Sequence, residues 1–320
     1  MDRGAERPRW QSDARAAATS RRGRMRAWSI AALAAWCLIA AGAACASAPD
    51  SGAAASLRAQ YAAMQERLDA SPFQRPLRLE SQEKASDLRG DVHAVVEHPF
   101  ATVSSALRDA THWCDILILH LNVKYCRSST DPTQRSLAVQ IGRKNAEPLD
   151  AGRRVTLAHR VVAADADYLR IALTAERGPF GTANYTIVLE AIPLDGGTRS
   201  FLHLSYSYAL GLPARLALRA YFGALGAGKV GFSVVATDAS GKPVYVNDLR
   251  GALERNAMRF YLAVDAYLDA VTAPPQERLD KRMREWFAAT ERFPLQLHEL
   301  DQKEYLAMKR EEYERQQLEP

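Results

Sequence analysis

The sequence predicts an α+β fold in which an antiparallel sheet of about six or seven strands is covered by a long C-terminal helix. Three observations predict it. From Leu121 to Leu210 apolar residues alternate with a period of two in six successive runs. Hairpin-length links join the runs and each run has one apolar face, the mark of an antiparallel meander buried on one side. Gly251 to Val271 then carries the strongest helical stripe of the chain, and a one-sided sheet has to cover its apolar face.

The chain opens with a leader over residues 1–46. Arg21-Arg22-Gly23-Arg24-Met25-Arg26 is followed by an uncharged, Ala-rich run from Ala27 to Ala44 and by small residues around Ala44-Cys45-Ala46. These are the n-region, h-region and cleavage site of a secretory signal peptide. Translation starts at Met1 or Met25. The alternatives to cleavage are an uncleaved membrane anchor and lipidation at Cys45, and only those two would attach the chain to a membrane. The expected location is periplasmic or extracellular.

Residues 47–90 read as a helix, Ala53 to Ala70, with Leu57, Tyr61, Met64 and Leu68 on one face, followed by an extended arm from Pro76 to Ser81. The main domain is placed at residues 91–273. Val92, Ala94 and Val96 alternate as its first strand, and Pro99 opens a single helix with the stripe Val103, Leu107, Ala110, Cys114 and Leu117. The strands of the meander carry Leu121, Val123 and Tyr125, then Leu137, Val139 and Ile141, then Val155 and Leu157. Leu169, Ile171 and Leu173 follow, then Tyr185, Ile187, Leu189 and Ala191, and last Leu202, Leu204, Tyr206 and Tyr208. Turn residues such as Asp195-Gly196-Gly197 separate them. A short helix from Pro213 and a hairpin over Phe232–Val246 precede the final helix, whose stripe is Leu253, Ala257, Phe260, Val264, Leu268 and Val271. Residues 274–320 form a tail of two helical stretches with charges of alternating sign, read as a largely solvated face that docks on the domain or meets an envelope protein partner over 276–320.

Charge excludes one function class. The chain has 42 Lys+Arg against 37 Asp+Glu, net +5, and the leader alone, with its eight arginines and three acids, supplies that excess. A neutral body has no electrostatic footprint for nucleic acid. Of four cysteines, Cys114 and Cys126 are sure to remain after cleavage. In an oxidising compartment this pair can close a disulfide; two buried free thiols are the other reading. Cys126 strictly alternates to the face opposite Tyr125, so the bridge requires the strand to twist or end there.

No catalytic string is present. Gly226-Ala227-Gly228-Lys229-Val230-Gly231 spells G-x-G-x-x-G, but a helix leads in and a strand follows, the reverse of the dinucleotide-binding order. Val230 stands where a P-loop needs a hydroxyl for magnesium. Seven scattered histidines show no zinc spacing. No metal, cofactor or catalytic residue is therefore assigned. His203 is the nearest acid–base candidate, and its phase puts it on the face opposite Tyr206.

Two groups suggest binding. Tyr185, Tyr206 and Tyr208 lie in phase with the apolar strand face, and a buried phenol needs a partner from protein or ligand. Arg255 and Arg259, with Glu254 and Asn256, stand near the start of an apolar-striped helix. They either grip a carboxylate or phosphate at a cavity mouth or pair internally at the sheet rim.

The order from Val92 to Phe100 into Val103, Leu107 and Trp113, then the meander, then Gly251 to Val271, resembles the helix-grip fold of START-like proteins over Asp91 to Ala273. The resemblance implies a curved sheet wrapped around the last helix, with a cavity for a lipid-like compound. On it, Trp113 joins the three tyrosines and two arginines as ligand-binding residues. The expected function is an exported, non-enzymatic binding protein for an apolar or amphipathic small molecule. The alternatives are an envelope scaffold without ligand and an enzyme of the cyclase or hydrolase kind.

Overall fold

A computed structural model describes residues 51–318 apart from 130, 132, 133, 226 and 227. The leader over residues 1–46 lies outside the described residues. The period-two runs become strands β1 (Leu77–Lys84), β2 (Asp87–Val96), β3 (Val123–Ser128), β4 (Ser136–Ile141), β5 (Arg153–Ala164), β6 (Leu169–Arg177), β7 (Thr182–Leu194) and β8 (Arg199–Leu210). They pair antiparallel in the order β1-β2-β8-β7-β6-β5-β4-β3. The sheet has eight strands rather than six or seven because the segment read as an arm pairs along its whole length with β2, from Leu77 against Ala94 to Lys84 against Asp87. At the β7–β8 turn Gly196 and Gly197 take φ values of 68° and 91°, which a side chain disfavours.

β2 and β3 lie in opposite halves of the sheet, and the chain crosses between them through helices α2 (Phe100–Leu107) and α3 (Ala110–Leu117). Helix α1 (Ser51–Asp69) precedes β1 and packs on the opposite face. The single helix read from Pro99 is two, because Asp109 leaves helical geometry and accepts the Thr111 amide at 2.8 Å as a new N-cap. The stripe survives the break, with Val103, Leu107, Ala110, Cys114 and Leu117 all buried.

Helix α4 (Leu212–Leu225) and a separate hairpin of β9 (Val234–Thr237) and β10 (Pro243–Tyr245) lead into α5 (Asp248–Ala270). α5 packs across β1, β2 and β8. It approaches β2 most closely at Gly90, where an added Cβ would stand 3.1 Å from the Cβ of Ala257. The stripe from Leu253 to Leu268 is buried, but so are Met258, Tyr261, Leu262 and Ala266 on its back. The back is covered because the tail forms α6 (Arg278–Glu291), α7 (Pro294–Leu297) and α8 (Gln302–Leu318) and folds onto it.

The tail thus docks on the domain, one of the two readings of its sequence, and is less solvated than its alternating charges suggest. Trp286 is buried and donates its indole N–H to the Arg259 carbonyl at 3.1 Å, and Tyr305 bonds the Leu119 carbonyl at 3.0 Å. α8 also closes the sheet edge at β3. Gln316 accepts the Cys126 amide at 3.0 Å, and the Lys309 ammonium donates to the Val123 and His120 carbonyls at 2.8 Å each. Edge groups left open would template pairing with another chain. Glu312 lies between Lys124, at 2.9 Å, and Lys309, at 2.7 Å, and all three are almost fully buried.

Cys114 and Cys126 are joined in a disulfide with Cα atoms 5.1 Å apart. The parity conflict is resolved within the strand. A register shift between Val123 and Tyr125 inserts one residue into β3, and Cys126 then pairs opposite inward-facing Val139. The strand neither ends nor needs to end at Cys126; it runs on to Ser128. On the other face of the sheet, α1 seats Leu57, Met64 and Leu68 against Val95, Tyr168, Ile192 and Phe201. Each such burial is worth about 1.5–3 kcal/mol before the entropy of ordering is charged against it.

Candidate functional site

The inner face of the sheet and α5 enclose one continuous apolar layer running from Leu77 to Met308. Strand alternation puts three phenols into it. Tyr185 and Tyr206 sit edge to face with centroids 5.3 Å apart, Tyr208 lies 5.5 Å from Tyr206, and Phe260 of α5 meets Tyr206 at 5.2 Å. The side chains of Tyr185 and Asn256 neighbour Tyr206. Burial pushes the Tyr185 hydroxyl up to about 12, and Tyr206 and Tyr208 up as well. These phenols are neutral at ordinary pH.

Next to them α5 presents its polar turn. Glu254 is fully buried and accepts the Phe232 amide at 2.6 Å, the Ser233 amide at 2.9 Å and the Ser233 hydroxyl at 2.7 Å, which ties the hairpin to the helix. Arg255 donates to the Lys229 and Val230 carbonyls, both at 3.1 Å. Arg259 donates to the Leu297 carbonyl at 3.3 Å and pairs with Glu299 at 2.9 Å. Lys144 also bonds Glu299, and Lys229 stands 3.8 Å from it. Burial, then the neighbouring Arg259 charge, brings Arg255 down to about 10 and Lys144 down to about 8. Both remain largely charged at neutral pH.

The structure thus brings Tyr185, Tyr206 and Tyr208 together, and sets Arg255 and Arg259 side by side on one turn of α5. Trp113 stands apart in role: it is buried and spends its indole N–H on the Leu107 carbonyl at 2.8 Å, locking α2 to α3. Sequence reasoning missed Glu299, Lys144 and Lys229, because each lies in a loop with no periodicity and meets the arginines only through the fold. A space of 440 Å³ lies elsewhere, at the sheet rim, lined by Arg153, Arg154, Gly178, Pro179 and Gly181. Among the described residues no group of three His, Cys, Asp or Glu side chains is arranged to hold a metal ion.

The outer face carries a different set. Register aligns His93 on β2, His203 on β8 and Glu190 on β7 in one row. His203 bonds Asp91 at 2.8 Å through Nε2 and Glu190 at 3.0 Å through Nδ1, while His93 stacks on its ring at 4.3 Å. Among the described residues neither ring nitrogen of His93 has a hydrogen-bond partner. His203 lies, as its phase predicts, on the face opposite Tyr206, buried among Asp91, Glu190 and His93 rather than beside the phenols. The pairing of Asp91, Glu190 and His203 was open to the same parity argument.

Element order, sheet order and an enclosed last helix define a helix-grip fold, the architecture expected from the START-like resemblance. No family model and no curated protein matches the chain. Solved structures similar to it include human StAR-related lipid transfer protein 5, at 11% identity over 50% of this chain and 84% of that one, with a TM-score of 0.27. Truncated norcoclaurine synthase from Thalictrum flavum is 12% identical over 46% of this chain and 92% of that one, with a TM-score of 0.31. CalU16 from Micromonospora echinospora is 10% identical over 67% of this chain and 94% of that one, with a TM-score of 0.27. Likenesses at these scores carry no argument about ligand or chemistry; the fold assignment rests on the sheet and α5 themselves.

Proposed function

We propose that the chain is an exported binding protein, without catalytic activity, for an amphipathic small molecule held between the sheet and α5. One observation carries the reading: a row of phenol and amide groups, Tyr185, Tyr206, Tyr208 and Asn256, set into an otherwise apolar layer. Apolar walls with a few convergent polar groups are what a small-molecule site requires. The phenols are too weakly acidic to serve as general bases near neutral pH, and the imidazole of His203 is committed to Asp91 and Glu190 on the far face. Both points favour binding over catalysis. Export rests on the Arg21 to Ala46 segment.

The test is mass spectrometry of organic extracts of the purified protein, together with titration of fluorescent fatty acids and sterols. A co-purifying amphiphile or saturable uptake is expected, with Tyr206→Phe weakening binding about three- to tenfold, the worth of one hydrogen bond. Protein that carries nothing and takes up nothing overturns the reading.

A further inference from the structure

Around the first turns of α5, four cations share too few anions. Arg255, Arg259, Lys144 and Lys229 converge from α5 and from the loops after β4 and α4, and the acid among them is Glu299. Glu254, the other acid that Arg255 feels, is spent on the Phe232 and Ser233 amides, the Ser81 and Ser233 hydroxyls and Arg250. Arg255 is 4% exposed, has only backbone carbonyls as hydrogen-bond acceptors, and makes no ion pair within 4 Å among the described residues. Arg259 is 1% exposed and its Nε has no hydrogen-bond partner among the described residues. Burying cations without matched anions is costly, and nothing about packing the sheet against α5 demands two arginines one turn apart.

We infer that this cluster is an anion subsite, which holds the carboxylate or phosphate group of the bound molecule while its apolar part lies along the tyrosine row. Guanidinium forks suit such planar or tetrahedral oxyanions. The location agrees, since Arg255 lies within electrostatic reach of Tyr208 and the next residue, Asn256, neighbours Tyr206. The apolar half of the inference rests on the proposed function; the anion half stands on the charge imbalance alone.

The experiment compares dodecanoate, its methyl ester and inorganic phosphate by calorimetric titration of the intact protein. Dodecanoate is expected to bind at least tenfold more tightly than the ester. The double variant Lys144→Gln/Lys229→Gln, at positions about a third exposed and with its fold checked by circular dichroism, is expected to lower dodecanoate affinity about tenfold and leave the ester unchanged. Arg255→Gln should do the same more strongly, with circular dichroism checking its fold. Equal binding of acid and ester, or a double variant with an unchanged ratio, overturns the inference while leaving the binding function intact. If neither amphiphile binds, the proposed function fails, and phosphate then decides: phosphate binding lost in the double variant keeps the anion subsite for a free anion, and no phosphate binding removes it.

Discussion

The two helical additions hold the sheet by different means. α1 lies on the outer face through Leu57, Met64 and Leu68, and among the described residues its ion pair is an exposed one, Arg58 with Asp167 at 3.4 Å. The tail, by contrast, combines buried Met283, Trp286, Tyr305 and Leu306 with an interior Lys–Glu–Lys triad and hydrogen bonds to the free edge of β3. Apolar contact seats an element but leaves it free to lift off as a unit. Removing the tail forfeits directed bonds to β3 and Lys124 as well as apolar burial. The tail should therefore unfold with the domain, and α1 before it.

The largest effect expected is at Glu312. Glu312→Gln leaves Lys124 and Lys309 buried without a counter-charge, and breaking a buried pair in this way costs about 3–5 kcal/mol. Urea unfolding measures it, and a loss below about 1 kcal/mol would show that the triad is hydrated and the contrast with α1 mistaken. The disulfide sharpens the same edge from within, since it fastens α3 to β3 beside α8. Closing its twelve-residue separation is worth about 3 kcal/mol on the chain-entropy estimate, so Cys114→Ala/Cys126→Ala should fall by that amount in denaturant while α1 protection stays unchanged.

On α1, Leu68→Ala removes a side chain that is 2% exposed, and the cost should sit near the low end of core truncations, about 2 kcal/mol. The low end is expected because a terminal helix can detach instead of keeping a cavity. Hydrogen exchange is the discriminating measurement. Faster exchange confined to residues 51–69 fits a separately opening helix; uniform acceleration through the sheet would erase the difference between the two coverings.

Much of this architecture was legible because its signals are periodic. The meander, the last helix, the α1 face and the inward phase of the three tyrosines all follow from spacing. Three features were not legible. β1 looks like an arm because Leu77 and Leu79 begin its alternation and polar Glu80 to Lys84 end it, and its partner β2 lies across a turn that nothing in the composition marks. The bulge in β3 moves Cys126 to the inner face, and a single inserted residue leaves no trace in the alternation. The tail's acids and bases alternate as they would on a solvated helix, and only the fold reveals that Lys309 and Glu312 face inward to Lys124. The binding cluster divides the same way: Arg255 and Arg259 were visible on one helix, whereas Glu299, Lys144 and Lys229 come from loops.

The smallest effect, and the one that separates the coverings most selectively, is their response to acid. Burial, and after it the neighbouring His203, brings His93 down to about 4; Asp91, Glu80 and Arg78 are the other charged groups that face it. The unfolded chain therefore binds a proton at this histidine between about 6.5 and 4 that the folded chain refuses, and stability is lost as pH falls through that window. His203 acts in the opposite sense. Burial opposes its charge, but its bonds to Asp91 and Glu190 prevail and raise it above 6.5, so its contribution is complete below 6.5 and fades as pH rises through the folded value. Asp91 and Glu190, both lowered by His203 against the effect of burial, hold their contributions until pH falls below their ordinary values of 3.8 and 4.5. The outer face should thus be most stable near pH 6.5. From pH 7 to 5 the His93 penalty amounts to about 1–2 kcal/mol, felt first by α1, whose Tyr61 packs on Phe201 beside the stacked imidazole. His93→Phe keeps the stacking and removes the titration. Hydrogen exchange of residues 51–69 should quicken on acidification in the parent chain and much less in this variant. The acid loss from His120 and His159, also lowered by burial, should persist in both. Equal acid sensitivity of α1 in parent and variant would remove His93 as the cause of the acid loss.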